Sequence, residues 1–124
     1  DAGPRPLIKA LHAGESINLA LDTRPDTGKL VPFFGRDALT NTSAVGLALK
    51  TGASLVLARG ERLPDARYRV TVYDPLESPI PEAPLKDQAV ALTTIIHGHF
   101  ERWIREYPEQ WICLKRRWPK QHKL

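Results

Sequence analysis

Only a few side chains in this sequence could take part in chemistry. There are four histidines and one cysteine, and no serine lies in the Gly-x-Ser-x-Gly pattern of a nucleophile elbow. His97 and His99 are two positions apart, which suits metal binding on a strand, but the surrounding pattern is helical and turns them about 200° from each other. The glycine patterns of nucleotide-binding loops are also absent. The residues therefore predict no nucleophile, no metal site and no cofactor.

A carboxylate at the end of an alternating apolar segment is the most informative single residue. Large apolar side chains alternate along residues 17–21, which predicts a strand that ends at Asp22, and the loop that follows contains Arg24 and Asp26. Functional carboxylates often lie at the ends of strands in open sheets. A loop carboxylate can equally cap nearby backbone amides. Both roles stay open for Asp22 on position alone.

The elements that must position these side chains are helices packed on a mixed sheet. Gly52 lies where a left-handed helix end belongs, after apolar residues 44–49, and Pro32 restricts residues 30–34 to an edge strand or extended loop. Apolar spacings of three and four predict the longest helix at residues 87–107. The other predicted elements are a helix at 7–11 and strands at 54–58 and 68–73 with a turn at 63–66 between them. This combination predicts an α/β fold.

Proline and glycine mark two segments in the second half of the chain. Residues 74–86 contain four of the eleven prolines, which remove amide donors and keep the backbone extended, so they are predicted to form a connector over the surface. Gly98 interrupts the long predicted helix at a cost of about 1 kcal/mol relative to alanine. This glycine indicates either close packing against a neighbour or a tolerated weakness.

Size and charge limit the class of protein. The 124 residues, of 13.9 kDa, correspond to one domain or part of one, and we treat residues 1–124 as a single partial domain. The chain has 18 basic and 14 acidic residues, and residues 114–124 form a basic tail without any acidic residue. The tail's basic residues are Lys115, Arg116, Arg117, Lys120 and Lys123. No apolar run reaches about 18–20 residues, so membrane contact by this chain is expected to be peripheral.

Four strings occur in a characteristic order along the chain. They are VPFFGR at 31–36, ALTNTSAVGLALKTG at 38–52, YRVTV at 68–72 running to DPLE at 74–77, and WIREYPEQW at 103–111 followed by LKRRW at 114–118. Their order and spacing resemble those of the bacterial lipid A biosynthesis acyltransferases, a branch of the lysophospholipid acyltransferase superfamily. The terminal block is the most specific of the four. The resemblance covers nearly the whole chain and implies the C-terminal part of a glycerol-3-phosphate acyltransferase-like fold.

The resemblance also points to a motif that the chain lacks. Enzymes of this family carry a catalytic His-x-x-x-x-Asp upstream of the strand that here ends in Asp22. No histidine of the chain is followed by an aspartate at that spacing; the four are His12, His97, His99 and His122. In such an enzyme the histidine deprotonates the acceptor hydroxyl, which then attacks a thioester carbonyl. The resemblance therefore implies a C-terminal portion that holds no catalytic residue and is inactive alone.

Several other residues receive roles from the resemblance. Asp22 is placed near the acceptor side of the site. The arginines implied to contact lipid or carrier phosphates are Arg24, Arg36 and Arg59. The basic residues implied to contact anionic headgroups or an acidic carrier protein are Lys115, Arg116 and Arg117. Trp111 and Trp118 beside these charges fit either an interfacial belt or a packed core.

The implied activity is transfer of a fatty acyl chain to a hydroxyl of a lipid A precursor or related lipid, at the cytoplasmic face of the bacterial inner membrane. The implied partners are an acyl carrier protein or acyl-CoA donor, the lipid acceptor and an anionic membrane surface. Nucleic acid is not supported, because the basic residues are few and terminal. The alternative is a catalytically inactive lipid- or acyl-carrier-binding module. A truncated domain of this kind is expected to expose apolar surface.

Overall fold

The computed structural model of the protein describes residues 4–119. In chain order its elements are α1 (Arg5–His12), β1 (Lys29–Phe33), β2 (Arg36–Thr40), α2 (Ser43–Thr51), β3 (Ala58–Arg62), β4 (Tyr68–Val72), α3 (Leu85–Glu106) and a 3₁₀ turn (Pro108–Gln110). The α/β class predicted from the sequence is confirmed. In place of the predicted mixed sheet, its described strands form two separate antiparallel pairs, β1 with β2 and β3 with β4. Lys120, His122 and Lys123 lie outside the described residues.

A tight hairpin joins β1 to β2. Phe34 and Gly35 both have positive φ angles, of 51° and 71°, which is the pattern of a type I′ turn and matches the twist of the two strands. Pro32 lies in β1, which within residues 4–119 pairs with β2 alone, as the edge-strand prediction for residues 30–34 requires. The sequence did not predict β2, because its two apolar residues, Ala38 and Leu39, are adjacent and do not alternate with polar ones.

The position of β3 differs from its prediction. The apolar segment 54–58 was predicted as the strand, but the strand begins at Ala58, and before it only Leu55 makes an isolated bridge, to Leu76. The turn fixes this register, because the Leu63 amide donates to the Arg67 carbonyl at 2.8 Å. The apolar side chains before β3 pack into the core instead, where Leu57 is buried. The prediction of β4 is confirmed.

The predicted strand at residues 17–21 is wrong for this structure. The segment has no regular secondary structure, and no residue from 17 to 21 makes a backbone hydrogen bond within the described part of the chain. A strand needs a neighbour that satisfies its amides and carbonyls. The alternating pattern is present, but none of the four strands is paired with it.

The core lies between α3 and α2. Ala89, Leu92 and Ile96 repeat along one face of α3 and pack with Val45 of α2 and with Leu57. The helices α1, α2 and α3 confirm the three helical predictions, and Gly52 ends α2 with φ of 72°.

Gly98 lies inside α3 without a tight neighbour. A Cβ added at this residue meets no atom within 4 Å outside its own helical turn. The glycine is therefore a tolerated weak point of the helix, and it is not required by close packing against a neighbour.

None of the described helices combines the length and the apolar character needed to cross a membrane.

Candidate functional site

Two clefts meet at Asp22. Cleft 1 has a volume of about 420 Å³ and lies between residues 18–22, β3 and the C-terminal half of α3. Cleft 2 has a volume of about 520 Å³ and lies between residues 20–24 and the extended segment 112–115, with Arg117 in its wall. Ala20, Asp22 and Gln110 line both clefts. The residue that the alternating pattern singled out therefore lies where the two spaces join.

The Asp22 carboxylate is half-buried and free to bind. Among residues 4–119 it makes no hydrogen bond and has no basic side chain within 4 Å. Its charge acts on Arg117. Burial lowers the pKa of Arg117, and the negative charge of Asp22 offsets part of that decrease. Of the two roles left open, amide capping is not observed in the structure. Asp22 instead lines both clefts.

Arg59 lines cleft 1 as part of an acidic and aromatic cluster. Its Nη1 donates to Glu106 Oε2 at 3.0 Å, and Nη2 lies 3.8 Å from Glu61 Oε1. The guanidinium lies 5.6 Å from the Trp103 ring and 5.7 Å from the Tyr107 ring. Burial acts to lower the pKa of Arg59, but the hydrogen bond and charge of Glu106 outweigh it and raise that pKa. This arginine is charged and already paired.

The other two predicted phosphate contacts lie in different places. Arg24 is exposed in the wall of cleft 2, where its Nη1 donates to the Arg116 carbonyl at 3.3 Å. Arg36 is exposed at the start of β2 and lines neither cleft. The structure therefore brings Arg24 and Arg59 to the Asp22 region, one in each cleft, and does not bring Arg36 there.

The three basic residues at 115–117 differ in their exposure to solvent. Lys115 and Arg116 are exposed, whereas Arg117 is only 1% exposed. Arg117 Nη1 donates to the Leu39 carbonyl at 2.6 Å, and Nη2 donates to Thr40 Oγ1 at 2.9 Å. The expectation of a surface contact for Arg117 is therefore corrected: its guanidinium is held by acceptors of β2.

An aromatic cluster surrounds this arginine. The Arg117 guanidinium lies 5.2 Å from the ring of Phe33, which is fully buried. Trp118 stacks on Phe33 at 5.6 Å and donates its indole N–H to the Phe33 carbonyl at 3.0 Å, and Trp111 meets Phe33 edge-on at 6.0 Å. Of the two readings for the tryptophans, packing against the hairpin β1–β2 is the one that the structure shows.

His97 completes a buried polar cluster with Arg117 and Thr40, a role that the sequence did not predict. Its Nδ1 lies 2.8 Å from the Pro32 carbonyl and its Nε2 lies 3.4 Å from Arg117 Nη2. Because both partners have fixed roles, Nδ1 carries the proton and Nε2 accepts. The available signal was its position one residue after Ile96 on the buried face of α3. In residues 4–119 no three His, Cys, Asp or Glu side chains are grouped to hold a metal.

Protonation of His97 is expected to destabilise the fold. Burial lowers the pKa of His97, and the charge of Arg117 lowers it further against the opposing effect of the Pro32 carbonyl. The unfolded state therefore binds a proton first as the pH falls through about 6.5, so stability is full above that pH and is lost below it. NMR titration of the imidazole checks this prediction. A His97 pKa at or above the ordinary histidine value would contradict it.

The family of the protein follows from a comparison with known sequences. A family model described as bacterial lipid A biosynthesis acyltransferase matches residues 1–120. The chain belongs to this family. No curated protein sequence matches it significantly. Membership connects this lipid A acyltransferase family member with acyl transfer in lipid A biosynthesis, and so with an acyl donor and a lipid acceptor in general.

The described part of this family member groups charged side chains around Asp22. One carboxylate lies between two clefts, with Arg59 in one and with Arg24, Lys115 and Arg117 around the other. His97 cannot serve as the general base, because its Nε2 faces the buried Arg117 and its Nδ1 is bonded to the backbone. The arrangement can bind and orient an anionic substrate.

Proposed function

We propose that the chain is the C-terminal portion of an acyltransferase that moves a fatty acyl chain from acyl carrier protein or acyl-CoA to a hydroxyl of a lipid A precursor or related lipid. Its family membership over residues 1–120 is the observation that carries this proposal. The position of Asp22 between two clefts supports it. In this proposal the chain completes the site, and the His-x-x-x-x-Asp motif lies upstream in the parent protein.

The reaction assigns a task to the residues of each cleft. The upstream histidine takes the proton of the acceptor hydroxyl, the oxygen attacks the thioester carbonyl, and the carbon–sulfur bond breaks to release the donor thiol, which takes up the proton. Asp22 accepts a hydrogen bond from the lipid acceptor and orients it. Arg24 and Lys115 bind its anionic groups in cleft 2 through charge-assisted hydrogen bonds.

Two further arginines would bind phosphate under different conditions. Arg59 would have to exchange Glu106 for the phosphate, since the two side chains are paired at 3.0 Å. Arg36 would meet only a substrate that extends over the hairpin β1–β2. We therefore assign the main phosphate contact to Arg24 and keep these two as secondary contacts.

The parent protein is proposed to act at the cytoplasmic face of the inner membrane. Ile112 and Leu114 are 70% and 91% exposed and lie directly before Lys115 and Arg116. Apolar side chains beside basic ones bind anionic lipid through both burial and charge. The same observation favours the second candidate function, an inactive module that binds lipid or carrier protein. The exposed basic residues of the tail are the contact in both proposals. The connector predicted at residues 74–86 stays part of the proposal, but its last two residues, Leu85 and Lys86, already belong to α3.

An acyl-transfer assay on the complete protein tests the first proposal. The protein is purified with its upstream region and given radiolabelled acyl carrier protein or acyl-CoA together with a lipid A precursor. Label is expected to move to the lipid from one of the two donors, and not when residues 1–124 are tested alone. If the complete protein transfers label from neither donor, the result would favour the binding module.

Neutralising Lys115 and Arg116 is expected to weaken binding to anionic vesicles by about tenfold or more at low salt, since each basic residue near the surface contributes about 1 kcal/mol. Sedimentation with vesicles of mixed neutral and anionic lipid measures the effect of the double Lys115→Gln, Arg116→Gln variant. Arg117 is left intact because it is buried. Lys50→Gln with Lys86→Gln removes two exposed charges elsewhere. Equal weakening by both double variants would exclude a localised contact.

A further inference from the structure

β3 has a free edge with unpaired backbone groups. The Leu63 amide donates to Arg67 and the Tyr73 amide donates to Leu57, so the odd-numbered residues of β3 face β4. The N–H and C=O groups of the even-numbered residues, Ala58, Gly60 and Arg62, therefore point away from β4. This edge forms one wall of cleft 1.

Among residues 4–119, hydrogen-bond partners for this edge are found only at its Arg62 end. The Arg62 amide donates to Gln110 Oε1 at 2.8 Å, and Gln110 Nε2 donates to the Arg62 carbonyl at 3.1 Å. The side-chain amide thus bonds to β3 as a neighbouring strand would. Within the described residues, Ala58 and Gly60 have no corresponding partner. Open edges of this kind readily accept another strand.

Another part of the lining of cleft 1 is a second segment with an unpaired backbone. Residues 18–22 line the cleft and make no backbone hydrogen bond within residues 4–119. Leu21 packs against the core, whereas Leu19, on the same side of an alternating segment, is 46% exposed. The α3 side chains that line the cleft beside them include Phe100, Trp103 and Ile104. The segment therefore has both free backbone groups and an apolar surface that it can cover.

We infer that residues 17–21 dock onto the free edge of β3 as a third strand and close cleft 1. In this pairing the apolar side chains of the alternating segment pack against α3, and the backbone groups of Ala58 and Gly60 gain hydrogen-bond partners. The structure shows the open arrangement. Docking fixes the end of the segment and so holds Asp22 in one position beside cleft 2. This consequence for Asp22 rests on the proposed function, whereas the strand pairing does not.

Gly60 offers a test with a closely matched control. Proline at this position removes the outward amide but no hydrogen bond to β4, as edge strands tolerate. Alanine keeps the amide, and its Cβ meets no atom within 4 Å. Amide hydrogen exchange by NMR on the full chain is expected to show protection within residues 17–21 in the wild type and in Gly60→Ala. Gly60→Pro is expected to reduce that protection by about tenfold or more.

Two internal checks keep this test decisive. Protection at Arg59 and Glu61 reports whether β3–β4 survives the proline. If it does not, nuclear Overhauser contacts between residues 17–21 and residues 58–60 of the wild-type chain decide the question. Unprotected amides at 17–21 without such contacts, or equal protection in both Gly60 variants, would overturn the inference. Neither readout depends on acyl transfer, so failure of the proposed function is separately visible.

Discussion

The Arg117→Ala variant is expected to lower the free energy of unfolding by about 3 kcal/mol. Its guanidinium is 1% exposed and donates to the Leu39 carbonyl and to Thr40 Oγ1, and these acceptors would remain buried without a donor. The variant also leaves a cavity beside the Phe33 ring. Urea unfolding followed by tryptophan fluorescence measures the change, since Trp118 stacks on Phe33 in the same cluster.

Arg116→Ala is the matched control for this prediction. Arg116 is adjacent, basic and exposed, and its contact with Arg24 uses the backbone carbonyl, which alanine retains. Its effect should stay within about 0.5 kcal/mol. Arg117→Lys should also destabilise, because a single ammonium cannot reproduce the two directed bonds. Equal effects of the two alanine variants would show that Arg117 does not hold the tail on β2.

The Asp22→Asn variant of the complete enzyme is expected to lose about 100-fold in kcat/KM. Asparagine preserves the shape of the side chain but removes the charge of a residue that lines both clefts. The loss follows if the carboxylate orients the acceptor hydroxyl, which the upstream base then deprotonates. The measurement is the initial rate of acyl transfer to the lipid A precursor at several acceptor concentrations, which separates kcat from KM.

Asp26→Asn is the control in the same loop. Asp26 is exposed and lines neither cleft, so its substitution should change the rate less than twofold. Comparison of the two unfolding curves shows whether Asp22→Asn acts on the fold instead of the reaction. Similar rates for the two variants would remove Asp22 from the site.

Local patterns in the sequence predicted the helices well. The periodic apolar face of α3 and the glycine that ends α2 depend on residues a few positions apart, and both predictions are confirmed. The strands are less predictable because their bounds depend on a partner. The hydrogen bond between Leu63 and Arg67 in the turn sets the register of β3. The strand therefore begins at Ala58, at the end of the predicted segment 54–58.

The candidate site was only partly predictable, because several of its contacts join residues that are far apart in the chain. Asp22 followed from its place after an alternating segment, and the structure puts it between two clefts. The burial of Arg117 depends on acceptors 78 and 77 positions earlier in the chain, so no local pattern reveals it. His97 likewise bonds to Pro32 across 65 positions. These contacts become visible only once the tail has been placed on the hairpin β1–β2.

The most direct test of the account is the intact mass of the native protein, captured from its source cells with an antibody against residues 103–118. A product well above the 13.9 kDa of these 124 residues is expected, with a His-x-x-x-x-Asp motif in peptides upstream of Asp1. A captured product of 13.9 kDa that transfers acyl groups by itself would contradict the claim that the general base lies outside this chain.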